Sequence, residues 1–183
     1  IDHPYYDFDN EAFSRLGVRT LQERGRKRLL LIPPPHSHSY SVHMMKGFRE
    51  EAEARGLSYE LAEGFDSDSG AIAIEAAVAR RFAVAPVPDG VISGSTTGAM
   101  AAVVGAERAG YVLGPDFDLI SKEAISFLHR FRREMIVVHE DVSRAGDFLA
   151  RALMAAIEKR APEQGQELEV PTAVSLGTPL RGA

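Results

Sequence analysis

The stretch Pro88-Asp89-Gly90-Val91-Ile92-Ser93-Gly94-Ser95-Thr96-Thr97-Gly98 decides the fold. Residues 89–93 form a short apolar run with the pattern of a buried strand. Residues 94–98 are small and hydroxyl-bearing, suited to capping a helix. Residues 96–109 then form a small-residue helix that stops at Gly110. A strand passing straight into a helix is the front of a βα unit, and the pattern recurs on both sides. Upstream, residues 10–24 set Phe13, Leu16, Gly17, Thr20 and Leu21 on one helical face. Arg26-Lys27-Arg28 then leads into the strand Leu29-Leu30-Leu31-Ile32, which three prolines at 33–35 end. Residues 40–55 read as a helix closing at Gly56, residues 59–61 as a strand and residues 70–82 as a helix. Downstream, residues 117–121 and 135–138 read as strands, residues 143–160 as a long helix, residues 161–167 as a loop and residues 168–176 as an extended tail.

Repeated strand–helix units predict a doubly wound parallel α/β sheet with helices on both faces. Such sheets bind ligands beyond the carboxyl ends of their strands, at the switch point of strand order. Residues 33–38, 64–68, 93–97 and 121–123 are therefore expected to gather on one rim.

Composition narrows the partners. The chain has 183 residues, 45% of them hydrophobic, with 21 Lys+Arg against 26 Asp+Glu and a net charge of −5. That is the make-up of a folded domain and not of a disordered tail, and its negative balance argues against nucleic-acid binding by this segment alone. No apolar run approaches the ~18 residues a membrane span needs. There is no cysteine, which excludes disulfides and thiolate metal sites. The chain opens at Ile1 with acidic Asp2, Asp7, Asp9 and Glu11 and no leader-like stretch, and reads as an internal fragment.

Several groups carry candidate chemistry. Gly94-Ser95-Thr96-Thr97-Gly98 offers backbone N–H groups to a ligand, but lacks the Walker lysine and the spacing of a nucleophile elbow. It reads equally as a plain helix cap. Lys122-Glu123 follows a buried strand and is either a polar ligand contact or a surface turn. Tyr40 and Phe65 lie near strand ends, where an aromatic face stacks on a sugar ring or fills the core. His36, His38 and His43 could bind a metal, though a solvated loop is the preferred reading. Asp66 and Asp68 lack a calcium-loop spacing. Ser95, His139 and Glu140 supply the residue types of a hydrolase without a supporting spacing. No cofactor is implied.

Six segments in register resemble the effector-binding region of lac-repressor-type (LacI/GalR) transcriptional regulators. They are Tyr6-Asp7-Phe8-Asp9-Asn10-Glu11-Ala12; residues 21–32, LQERGRKRLLLI; Gly47-Phe48-Arg49 with its helix to Gly56; Pro88-Asp89-Gly90-Val91-Ile92; Gly110 followed by Gly114-Pro115-Asp116-Phe117-Asp118-Leu119-Ile120; and Val138-His139-Glu140-Asp141 followed by Ala145-Gly146. The resemblance implies a two-lobed, periplasmic-binding-protein-like fold. A small sugar-like molecule would bind between the lobes and gate an N-terminal DNA-binding headpiece. On this reading the chain holds mainly the C-terminal lobe (about 8–138 and 168–183) and the return helix of the N-terminal lobe (about 139–167). The headpiece is absent from it. A cytoplasmic homodimer without membrane contact is expected.

The departures from the family pattern are also informative. The family's sugar-holding arginine is replaced by Met44, its Asn-Asp pair by Gly94-Ser95, and its "GFD" turn by Ser121-Lys122-Glu123. Losing a forked cation and two amide or carboxylate partners removes hydroxyl contacts, so the expected ligand differs from a standard hexose. Lys122 points to a sugar acid, unless it is simply exposed. The expected ligand residues are Tyr40, Met44, Phe65, Gly94, Ser95, Lys122 and Glu123, with no catalytic or metal-binding residue. Two other readings stand beside this one. They are a solute-binding protein of a transporter, and a small α/β hydrolase using Ser95 or Glu123.

Overall fold

A computed structural model describes residues 3–161 and 165–176. Two sheets are present. The larger has six strands in the order β3-β2-β4-β5-β6-β8, and the smaller pairs β1 with β7 in parallel. In chain order the elements are β1 (Tyr5–Phe8), α1 (Asn10–Glu23), β2 (Arg28–Ile32), α2 (Ser39–Ala54), β3 (Ser58–Leu61), α3 (Ala71–Phe82), β4 (Gly90–Ser93) and α4 (Thr96–Arg108). They continue with β5 (Asp118–Glu123), the short α5 (Leu128–Phe131), β6 (Ile136–His139), α6 (Val142–Ile157), β7 (Gln166–Glu169) and β8 (Ser175–Leu176).

The first five strands of the large sheet are parallel, as the βα repeats predict. The tail departs from that expectation, because β8 joins the edge antiparallel to β6. Part of the segment read as a loop also differs: Gln166 and Glu167 already belong to β7, against Tyr5 and Tyr6, while 162–164 lie outside the described residues. The chain reverses its direction across the large sheet between β2 and β4, which makes that gap the switch point.

Strand alternation divides the interior into two apolar layers. Leu30, Val91, Leu119 and Val137 face α3 and α4, with Val78, Phe82 and Val103. Leu29, Leu31, Ile92, Ile120 and Val138 face α1 and α2, with Phe13, Leu21, Met44 and Phe48. Each large side chain buried here contributes ~1.5–3 kcal/mol. Gly47 explains the close crossing of α1 and α2. A Cβ there would sit 2.3 Å from the Glu11 carbonyl oxygen, while the neighbouring Phe48 fills the layer beneath. The basic triplet Arg26-Lys27-Arg28, which leads into β2, holds the opposite end of the sheet. Arg26 Nε donates to the fully buried Asp118 at 2.7 Å, and Arg28 pairs with Asp89 at 2.8 Å.

The small sheet and α6 form a separate layer, tied by Phe148 against Tyr6 (centroids 5.8 Å apart). The apolar residues of α6 divide between two environments. Phe148 and Ala152, with Ala155, are buried, whereas Leu149, Leu153, Met154 and Ile157 are exposed. Glu169, at the end of β7, gathers three segments. Its carboxylate accepts from Tyr6 Oη (2.8 Å) and from the Asp141 amide (3.0 Å), and its carbonyl accepts from the Asp9 amide (2.8 Å).

Glu51 links α1 and α2. Its carboxylate accepts from Arg19 Nε at 2.8 Å and Arg55 Nε at 2.6 Å. The Arg19 hydrogen bond, helped by Arg55, holds this carboxyl at about 2, below its ordinary 4.5. A depressed carboxyl stabilises the fold above pH 4.5 and loses that stabilisation as pH falls toward 2. Glu51→Gln is expected to cost about 1–3 kcal/mol at neutral pH. It should also flatten the acid limb of stability against pH, as read by urea unfolding between pH 2 and 7.

Candidate functional site

The loops that follow the first parallel strands meet on one rim, and the contacts that join them are short. The Ser67 amide, after β3, donates to the Pro33 carbonyl, after β2, at 2.8 Å. Ser95 Oγ donates to the Ser67 carbonyl at 3.1 Å and accepts from the Gly98 amide at 3.0 Å, so one hydroxyl both caps α4 and joins two loops. Thr96 Oγ1 donates to the Lys122 carbonyl at 3.2 Å, bringing in the end of β5. The Glu140 amide donates to the Glu123 carbonyl at 2.9 Å, bringing in β6. Gly94 lies against Pro34 across the switch point.

At the centre of this rim is Lys122. Residues alternate along β5, so Ile120 and Lys122 project to the α1–α2 side while Leu119 projects to the other. The ammonium donates to Asn10 Oδ1 at 2.9 Å and lies 3.9 Å from Glu140 Oε2. It sits 5.2 Å from the centroid of the Phe8 ring and 5.1 Å from that of Tyr40. Only 14% of its side chain is exposed. Burial pushes its pKa down from the ordinary lysine value, opposed by the charges of Glu140 and Asp7. Tyr40 also stacks on His38, at 5.4 Å and 15°. Burial raises the Tyr40 pKa, with the negative charges of Asp68, Glu140 and Asp66 adding to the shift.

Tyr40 and Lys122 therefore come together, with Gly94 and Ser95 on the same rim. The other three candidates lie elsewhere. Met44 is wholly buried in the α1–α2 layer and has no crevice surface, because its place on α2 shares the inward face with Ser41 and Phe48. Glu123 is in β5 itself and not in a turn. Its carboxylate accepts from the amides of Phe127 (3.1 Å) and Leu128 (2.9 Å), which starts α5. Phe65 packs on the α3–α4 layer and lines a groove of about 790 Å³ with Arg49, Tyr59 and Arg81 at the β3 edge. Sequence reading missed Phe8 and Asn10 as partners of Lys122, although both lie in a quoted family segment. Glu140 also lies in such a segment, and its place 3.9 Å from the Lys122 ammonium is not evident from the sequence. Among the described residues, no three His, Asp or Glu side chains could together hold a metal ion.

An open parallel sheet in this order, with its crevice at the switch point, defines a periplasmic-binding-protein-like lobe. Residues 18–178 match the family described as a periplasmic binding protein-like domain, and the chain belongs to that family. It is 25% identical over 175 residues to the HTH-type transcriptional regulator AglR of Rhizobium meliloti (strain 1021), covering 91% of this chain and 48% of that protein. It is 26% identical over 163 residues to the HTH-type transcriptional regulator CelR of Thermobifida fusca, covering 87% of this chain and 47% of that protein. The chain thus spans about half the length of these relatives.

Solved structures agree on the fold. A LacI-family regulatory protein from Chloroflexus aggregans superposes with a TM-score of 0.82 at 21% identity, over 97% of this chain and 64% of that one. The transcriptional regulator CelR–cellobiose complex gives 0.79 at 22%, over 96% and 53%. A dimeric lac repressor gives 0.81 at 17%, over 97% and 64%. At these identities the likeness is one of fold.

Gly94 fixes the width of the switch point. A Cβ there would lie 2.9 Å from Cδ and Cγ of Pro34, a rigid ring that cannot rotate aside. Gly94→Ala is expected to destabilise the fold by about 1–3 kcal/mol, measured by denaturant unfolding, as the loops after β2 and β4 are forced apart.

Proposed function

We propose that the chain is the sensing part of a DNA-binding transcription regulator, in which a small polyhydroxylated effector bound at the rim gates operator affinity. The observation that carries this reading is the single rim, tied through Ser67, Ser95 and Thr96 and lined by an aromatic face at Tyr40. It is the half-clamshell geometry that a second lobe would close. Support comes from the relatives, which are HTH-type regulators, and from the CelR structure, which is a complex with cellobiose. Operator DNA would be held by a headpiece outside these 183 residues. Homodimer formation, as in the dimeric lac repressor, and a cytoplasmic location belong to the same reading. Among the described residues, no helix is long and apolar enough to cross a membrane.

The six-stranded sheet with its flanking helices fits a C-terminal lobe. β1, β7 and α6 fit the part of an N-terminal lobe that the chain re-enters. The open line Leu149, Leu153, Met154 and Ile157 suits a helix whose second side packs within that lobe. Binding without bond chemistry is favoured because the Ser95 hydroxyl donates to a backbone carbonyl and not to an imidazole. An uncharged sugar suits the rim better than a sugar acid. Its one central cation is already engaged by Asn10 and Glu140, and Asp66, Asp68 and Glu140 surround Tyr40 with negative charge.

The test uses full-length protein and an operator selected by it from a random DNA pool. Saturating effector is expected to move operator affinity by about 5- to 150-fold. Operator affinity indifferent to every sugar and sugar acid that binds would overturn the gating. Tyr40→Ala is expected to weaken effector binding by about three- to tenfold, read by calorimetry, through loss of the stacking face.

A further inference from the structure

We infer that Lys122 is a pin that couples the effector crevice to the chain connections leaving the six-stranded sheet, and is not itself an effector ligand. The inference rests on the gated-sensor reading above. The chain passes between the large sheet and the β1–β7–α6 layer three times: after β1, after β6 and after β7. Lys122 touches the first two of these passages at once. Phe8 and Asn10 bracket the first, and Glu140 lies in the second, immediately before the helix-capping Asp141. The remaining wall of its cage is Tyr40, on the crevice.

The partners are themselves fixed. The Asn10 amide nitrogen donates to the Phe8 carbonyl at 2.8 Å, which turns its oxygen toward the ammonium. The Glu140 amide is bound to the carbonyl of Glu123, the residue after Lys122. One side chain therefore senses the crevice aromatic and both connections within a single set of contacts.

Stability alone does not account for a lysine here. The ammonium lies beside the first turns of α1 and α2, whose amino ends repel positive charge, and it is largely removed from water. An apolar side chain of similar length would avoid both costs. What a methionine could not supply is a charge that binds Asn10 and attracts Glu140 while resting on Tyr40. Any ligand that stacks on Tyr40 or displaces Glu140 changes the balance of those contacts and so the set of the two connections.

The experiment compares full-length wild type with Lys122→Met, Glu140→Gln and the double variant. The first readout is the ratio of operator affinities with and without saturating effector. Lys122→Met is expected to unfold cooperatively, to bind effector within a few-fold of wild type, and to reduce that ratio by about two- to thirtyfold. Glu140→Gln should reduce it in the same direction, with the double variant no worse than Lys122→Met. The second readout does not depend on gating. Because the chain has no cysteine, spin labels at Arg151→Cys on α6 and Ala76→Cys on α3 report the spread of distances between the two layers. Lys122→Met is expected to broaden that spread in the absence of effector. Loss of effector binding with the spread unchanged would make Lys122 a ligand and overturn the pin, as would a variant indistinguishable from wild type in both readouts. If no effector gates operator binding in wild type, the sensor reading falls, while the distance spread still decides for or against the pin.

Discussion

The rim depends on how closely the loops after β2 and β4 approach at the switch point. At that point the strand order reverses, so successive crossover helices leave on opposite faces and the backbone between them is free to part. Gly94 resting on Pro34 closes that gap, and only a residue without a Cβ allows it. The Ser67 and Ser95 hydrogen bonds then extend the closure to the loop after β3, and Thr96 extends it to the end of β5. Each of these is a hydroxyl or amide meeting a carbonyl that the ended strands leave unpaired. The backbone accounting of the rim and the shape of the crevice are therefore one problem with one solution.

Above that rim the chemistry is concentrated in a single charge. Lys122 projects from β5 on the side where Ile120 packs in the apolar layer, and it is held by two rings, one amide oxygen and one carboxylate. The local field is negative, from Glu140 and Asp7 on one side and from Asp66 and Asp68 beyond Tyr40. A rim of this kind favours donors, such as sugar hydroxyls, over further anions.

The architecture was legible because alternation and helical period are written in short range. The run Leu29-Leu30-Leu31-Ile32, the helix face of Phe13, Gly17 and Leu21, and the strand-to-helix passage at Gly94 each fix an element by their own pattern. The antiparallel β8 was not legible. A two-residue strand carries no period, and its direction follows from where β7 leaves it. The site was legible in part. Strand ends located Ser95 and Lys122, but the direction of a side chain depends on register within β5, and a one-residue step separates Lys122 at the crevice from Glu123 at the start of α5. Met44 differs for a related reason: a family position on α2 does not say which side of the helix faces inward, and Met44 shares the buried side with Ser41 and Phe48. Asn10, Phe8 and Glu140 are distant from Lys122 in sequence, and nothing local announces that meeting.

Glu169 has a mechanical consequence of its own. It stands at the head of the third passage and binds the other two, the first through Tyr6 and the Asp9 amide and the second through the Asp141 amide. Cords knotted together cannot slide past one another. A shift of one of the three alone would break a hydrogen bond to Glu169, so the knot favours their moving together.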